Sequence, residues 1–136
     1  MSMSEPVNLH SDYRDDCLVV EVHGRDLLEH VDSTLEDLAT TIRARPVRAT
    51  LVDVRPVPGA VSFMDRFHLG EAAARLLPRG LLAVLMREDQ ADPRRIGQLA
   101  ALNRGFKVEV FTDPQRAETW LQSAPPFGSA PPRPEI

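Results

Sequence analysis

Four short apolar runs dominate this chain: CLVVEV at residues 17–22, ATLVDV at 49–54, LLAVLM at 81–86 and FKVEVF at 106–111. The second and third are apolar at nearly every position rather than at alternate ones. A strand with that pattern has no solvent side, so both of its faces must be covered. Between the runs lie segments with helical periodicity. Strands covered on both faces and joined by helical crossovers pair in parallel.

Upstream, Val7 and Leu9 alternate with polar neighbours, and Arg14-Asp15-Asp16 forms a polar turn before Cys17. This predicts an antiparallel hairpin on the edge of the sheet. Ser33-x-x-Glu36 has the spacing of a capping box, and Leu35, Leu38, Ala39 and Ile42 then form an apolar stripe. In the second helix Ser62-x-x-Asp65 repeats the capping spacing, with Phe63, Phe67, Gly70, Ala74 and Leu77 as the stripe expected to be buried. His68, Glu71 and Arg75 fall on another face as a solvated ridge. Asp92-Pro93 starts a third helix, and Gly105 closes it. Thr112-Asp113-Pro114-Gln115 caps a fourth, which carries Ala117, Trp120 and Leu121. The expected order is β-β-α-β-α-β-α-β-α, a mixed, mostly parallel five-stranded sheet with about four helices.

With 136 residues the chain makes one core. Residues 1–122 are expected to form a single domain, and 123–136, with five prolines, a disordered tail. The net charge is −4, and no basic stretch is interleaved with aromatics, which argues against nucleic acid as a partner. Cys17 is the only cysteine, so no intrachain disulfide forms. His23, Asp26, Glu29 and His30 are close in sequence without metal-ligand spacing, so neither metal nor cofactor is expected. The N-terminus lacks an apolar signal core and no run is long enough to span a bilayer, so the expected location is the cytoplasm.

In an open sheet of this kind, ligands bind beyond the carboxyl ends of the strands. Those ends bring His23 and Arg25, Asp53 and Arg55, Arg87 with Glu88 and Asp89, and Thr112 with Asp113. The start of the second helix adds Ser62, Asp65 and Arg66. Such an edge either holds an anion or pairs its own acids and arginines. Asp53 interrupts a buried strand, so its carboxylate needs a partner, and Arg55 is the nearest candidate. Asp65 and His68 suggest acid–base chemistry, but Ser62 and Thr112 are the only nucleophiles near them in this reading and neither has a nucleophile context. Asp65 is better read as a cap, and no catalytic residue is assigned.

The stretch LVDVR…VSFMDRFHLGEAA resembles the core of STAS domains (sulfate transporter and anti-sigma-factor antagonist). In the sporulation antagonists this segment runs Phe-Met-Asp-Ser-Ser-Gly-Leu-Gly. Phe63, Met64, Asp65, Leu69 and Gly70 match it. From about Val7 to Leu121 the chain is similar to the bacterial stage II sporulation protein AA-like (STAS-like) family. The matching features are Asp53 and Arg55, Arg66-Phe67-His68-Leu69-Gly70, Asn103-Arg104-Gly105, and Phe111-Thr112-Asp113 with Ala117, Trp120 and Leu121. The resemblance implies a STAS-like α/β domain and a regulatory or binding module rather than an enzyme. It implies a protein partner or self-association, including a homodimer. A suggested fold relation to CRAL-TRIO lipid-transfer domains adds a lipid-like ligand as an alternative to a small anion, and a hydrolase-type enzyme is a further alternative. The serine phosphoswitch does not carry over: the switch serine falls at Phe67, which has no hydroxyl. The residues expected to meet a ligand or partner are Asp53, Arg55, Ser62, Asp65, Arg66, His68, Arg87, Asn103, Arg104 and Thr112.

Overall fold

The structure is a computed structural model that describes residues 7–25, 27–59, 63–78, 80–91 and 108–124, without the side chains at 28, 63 and 66. Strands β1 (Asn8–Arg14) and β2 (Cys17–His23) form the predicted hairpin, with Asp15 in the left-handed region at φ 56°. A 3-10 turn (Leu27–His30) runs directly into α1 (Val31–Ala44). There follow β3 (Ala49–Asp53), α2 (Phe63–Leu76), β4 (Leu82–Leu85), β5 (Val108–Phe111) and α3 (Pro114–Ser123). The sheet order is β1-β2-β3-β4-β5. Among the described residues only the β1–β2 pair is antiparallel. The helix expected from Asp92 to Gly105 and the tail from 125 onward lie outside the described residues.

Strict alternation sends each strand's apolar side chains to two layers. Leu18, Val20, Val22, Val52, Leu82 and Val108 join Leu38 and Ala39 of α1 and Leu77, just after α2, in one core. Cys17, Ala49, Leu51, Ala83 and Leu85 meet Ala117 and Leu121 of α3 in the other. All five residues of β3 are buried, as its unbroken apolar pattern requires.

Two expectations about helices are corrected. Ser33 and Glu36 form no capping box on α1. The 3-10 turn carries the helix start back to Val31, so His30 occupies the N-cap without a side-chain capping bond. Ser33, now inside the first turn, donates instead to the His30 carbonyl at 3.1 Å. On α2, Phe67 does not belong to a buried stripe: it is 37% exposed and Met64 is 55% exposed, while Ala72 is buried along with Gly70 and Leu77. Apolar residues surround this helix on most sides, so periodicity does not single out its inward face. The cap of α3 is as expected. Asp113 Oδ1 accepts from the Gln115 N–H at 3.0 Å, with Pro114 beginning the helix.

Arg48 fastens the hairpin turn to the end of α3. Its Nε donates to Asp16 Oδ1 at 2.5 Å, and its Nη1 donates to the carbonyls of Leu121 (3.2 Å) and Ala124 (2.8 Å). The hydrogen bond from Arg48 holds the Asp16 carboxyl below its ordinary pKa of 3.8. Because the unfolded chain takes up that proton first, the contribution is complete above pH 3.8 and is lost as pH falls through the lower folded value. Urea midpoints measured between pH 6 and pH 3 should therefore fall less steeply for Asp16→Asn than for the wild type.

Candidate functional site

Asp53 ends β3 with its backbone buried, and Arg55 follows on the same side of the chain. Arg55 donates from Nε to Asp53 Oδ1 at 3.0 Å and from Nη2 to Oδ2 at 2.9 Å, and its backbone N–H adds a third bond to Oδ1 at 3.0 Å. This is the two-pronged pairing that best satisfies a carboxylate in a buried strand. The predicted Asp53–Arg55 partnership is thus formed within the chain.

Arg87 follows β4 and turns back over the loop after β3. Its Nη1 donates to the carbonyls of Arg55 and Val57, the latter at 3.0 Å, and its Nε donates to Asp89 Oδ1 at 3.0 Å. Gln90, which the sequence did not single out, completes the arrangement. Its Nε2 donates to the Val54 and Val57 carbonyls at 2.9 and 3.0 Å, and its Oε1 accepts from the Arg87 N–H at 2.7 Å. Gln90 is 9% exposed, so each of these bonds satisfies a group withdrawn from water. The two strand-end loops are therefore clamped together by side chain-to-carbonyl bonds. Both guanidinium groups have partners within the chain, Asp53 for Arg55 and Asp89 with the loop carbonyls for Arg87.

The predicted site residues do not converge. Asp53, Arg55 and Arg87 meet at the clamp. Asp65 and His68 open into a groove between α1 and α2, about 660 Å³ in volume, whose walls include Asp32, Glu71 and Arg75. Arg75 reaches Asp32 at 3.4 Å across that groove. Thr112 lies on the sheet side of α2, at the edge of a separate apolar cleft. Asp65 and His68 thus share no pocket with Thr112. Ser62, Asn103, Arg104 and the Arg66 side chain lie outside the described residues. On the outer face of the hairpin His23 Nε2 is 3.0 Å from Glu21 Oε1, and its ring lies 4.6 Å from that of His10. Among the described residues no group of three or more His, Cys, Asp or Glu side chains is placed to hold a metal ion. No helix among them is long and apolar enough to cross a membrane.

The apolar cleft lies between the α1–α2 layer and the sheet and has a volume of about 460 Å³. Leu35 and Leu38 of α1, Leu69 and Ala73 of α2, and Val52 and Val84 of the sheet are among its walls.

No family model matches the sequence, and no curated protein matches it. Solved structures do. An anti-sigma factor antagonist from Mycobacterium paratuberculosis superposes with a TM-score of 0.59 at 20% identity, covering 89% of this chain and 100% of that one. A variant of RsbS from Moorella thermoacetica gives 0.49 at 16% identity, over 84% and 94% of the two chains. An uncharacterized protein with a SpoIIAA-like fold from Shewanella loihica PV-4 gives 0.47 at 18% identity, over 89% and 98%.

Replacing Gln90 by Ala should cost about 1–3 kcal/mol, because it removes the side-chain acceptor of the Arg87 N–H and one of the donors at each of the Val54 and Val57 carbonyls. Urea unfolding measures the loss directly. With its five strands in sequence order, its single antiparallel edge and helices on both faces, the chain has the STAS-like α/β fold.

Proposed function

We propose that this chain is a non-catalytic regulatory module that binds a protein partner through the first turns of α2, without a serine phosphoswitch. The observation that carries the reading is the exposure of Met64 and Phe67 on those turns, at 55% and 37%. Large apolar side chains held in water at a helix start are candidates for the buried anchors of an interface. The resemblance to the sporulation antagonists puts Phe67 where those proteins carry the phosphorylated serine. A phenyl ring there offers apolar area and no site for phosphate. The fold likeness to an anti-sigma factor antagonist supports the same class of function.

The separation of the polar residues also supports a binding role. Asp65 and His68 face the α1–α2 groove while Thr112 faces the cleft, so they do not form one reaction centre. Arg55 and Arg87 act on the chain's own loops and keep the strand ends rigid behind the helix. In this reading the chain through Ala124, where Arg48 holds the end of α3, belongs to the binding domain, which works in a bacterial cytoplasm. The partner is a second protein or a second copy of this chain.

Pull-down from extract of the native host, with light scattering on the purified chain, tests the proposal. A retained protein or a dimer is expected. Exchanging Met64 and Phe67 together for Ser should weaken that association by about 2 kcal/mol or more, roughly thirtyfold, with the circular dichroism unchanged. A strict monomer that retains nothing, or an association indifferent to both substitutions, would contradict the proposal.

A further inference from the structure

Independently of the α2 surface, we infer that the outer edge of β1 is a self-association site, where a second copy adds its own β1 antiparallel with Ser11 opposite Ser11. β1 is an edge strand of seven residues, and its pairing with β2 runs without a bulge. It contains no proline and no lysine, two residues that commonly keep edge strands from pairing further. The Asp15-Asp16 turn has two residues, so the closing pair Arg14–Cys17 is a hydrogen-bonded one. Asn8, His10 and Asp12 therefore direct their backbone groups to β2, while Leu9, Ser11 and Tyr13 direct theirs outward. Among the described residues no backbone group bonds these three on that side.

The outward set is symmetric about Ser11, and that symmetry points to a second copy as the partner. An antiparallel β1 laid on this edge makes hydrogen-bonded pairs of Ser11 with Ser11 and of Leu9 with Tyr13. Leu9 and Tyr13 both pack against the core that includes Leu38 and Ala39 of α1. Their contact would continue that apolar layer from one copy into the next. On the opposite face His10 of each copy meets Asp12 of the other. These are non-hydrogen-bonded pairs, the kind that brings side chains closest, with Cα atoms about 4.5 Å apart. An imidazole donor then faces a carboxylate acceptor in both halves of the interface.

Neighbours within the chain already hold these side chains. The His10 and His23 rings lie edge to face with centroids 4.6 Å apart, and Asp12 is 3.7 Å from Arg14. The neighbouring registers that preserve the faces are poorer. Centring the pairing on Asp12 sets two carboxylates opposite each other, and centring it on His10 opposes two imidazoles. The polar groups of β1 thus favour its own copy in one register, and a strand of other sequence leaves them unmatched.

Sedimentation of the full chain over a wide range of concentration should show a monomer–dimer equilibrium. Ser11→Pro removes the outward N–H at the centre, a change that an edge strand tolerates, and should weaken the dimer roughly tenfold or more. His10→Asp sets two acids opposite each other and should weaken it as well, while adding Asp12→His to that variant should restore it. In oxidising buffer Ser11→Cys should link two copies faster than Asn8→Cys. The paired Ser11 Cα atoms lie about 5.5 Å apart, within disulfide reach, whereas Asn8 lies opposite Arg14. A monomer at every concentration or a dimer unmoved by Ser11→Pro in a folded variant would overturn the site. So would a dimer unmoved by His10→Asp, a double exchange that restores nothing, or equal cross-linking at positions 8 and 11. Self-association lost with Ser11→Pro and kept when Met64 and Phe67 are exchanged belongs to this edge. Capture of a host protein with the reverse dependence belongs to α2, so the two proposals fail separately.

Discussion

Burial of β3 on both faces is the constraint from which the other features follow. Ala49, Thr50, Leu51, Val52 and Asp53 are all withdrawn from water. A strand in that position needs a neighbour on each side and a layer above and below, so β2 and β4 flank it in parallel while helices cover both faces. Ending such a strand on a carboxylate then creates a local problem. Burying an unpaired charge would cost several kcal/mol, and Arg55 two residues later removes that cost by bonding both oxygens. The loop that follows is held by Arg87 and Gln90 from the end of the neighbouring strand. The rigidity of the strand ends is therefore a consequence of how the central strand terminates.

The parts of this fold that were legible in the sequence are those where one residue's physical requirement has a nearby answer. Unalternated apolar runs identified the buried strands, and the polar Arg14-Asp15-Asp16 identified the hairpin. Asp53 within an apolar run called for a cation, and Arg55 was within reach. Asp113 before Pro114 signalled a helix start, and the bond to Gln115 bears it out. Ser33 misled because its spacing to Glu36 is correct, but the preceding 3-10 turn sets the start of the helix. Phe67 misled because α2 has apolar residues on more than one side, and which side faces inward is decided by its fit against α1 and the sheet. Gln90 carried no local signal at all. Its partners are carbonyls of Val54 and Val57, more than thirty residues earlier, and any polar side chain in that loop reads alike.

The same separation organises the candidate sites. Residues that looked like one polar edge fall into two sets: Asp65 and His68 in the groove between α1 and α2, and the clamp, whose Gln90, Val54 and Val57 line the cleft together with Thr112. The helix has different chemistry on its two sides. Met64 and Phe67 stand in solvent, whereas Leu69, Gly70 and Ala73 face an apolar space above the sheet. The first arrangement supports the proposed protein-binding surface. In the sporulation antagonists the corresponding helix start carries a modifiable hydroxyl. Here the same place carries a ring, which under the proposed function leaves recognition to apolar contact and shape.

Hydrogen exchange on the chain alone and saturated with its captured partner, or at concentrations above and below dimerisation, tests the central claim most directly. The account predicts new protection at residues 64–68 of α2, with the clamped loops at 54–59 and 86–91 unchanged. Protection confined to those loops, with 64–68 exchanging as before, would contradict it.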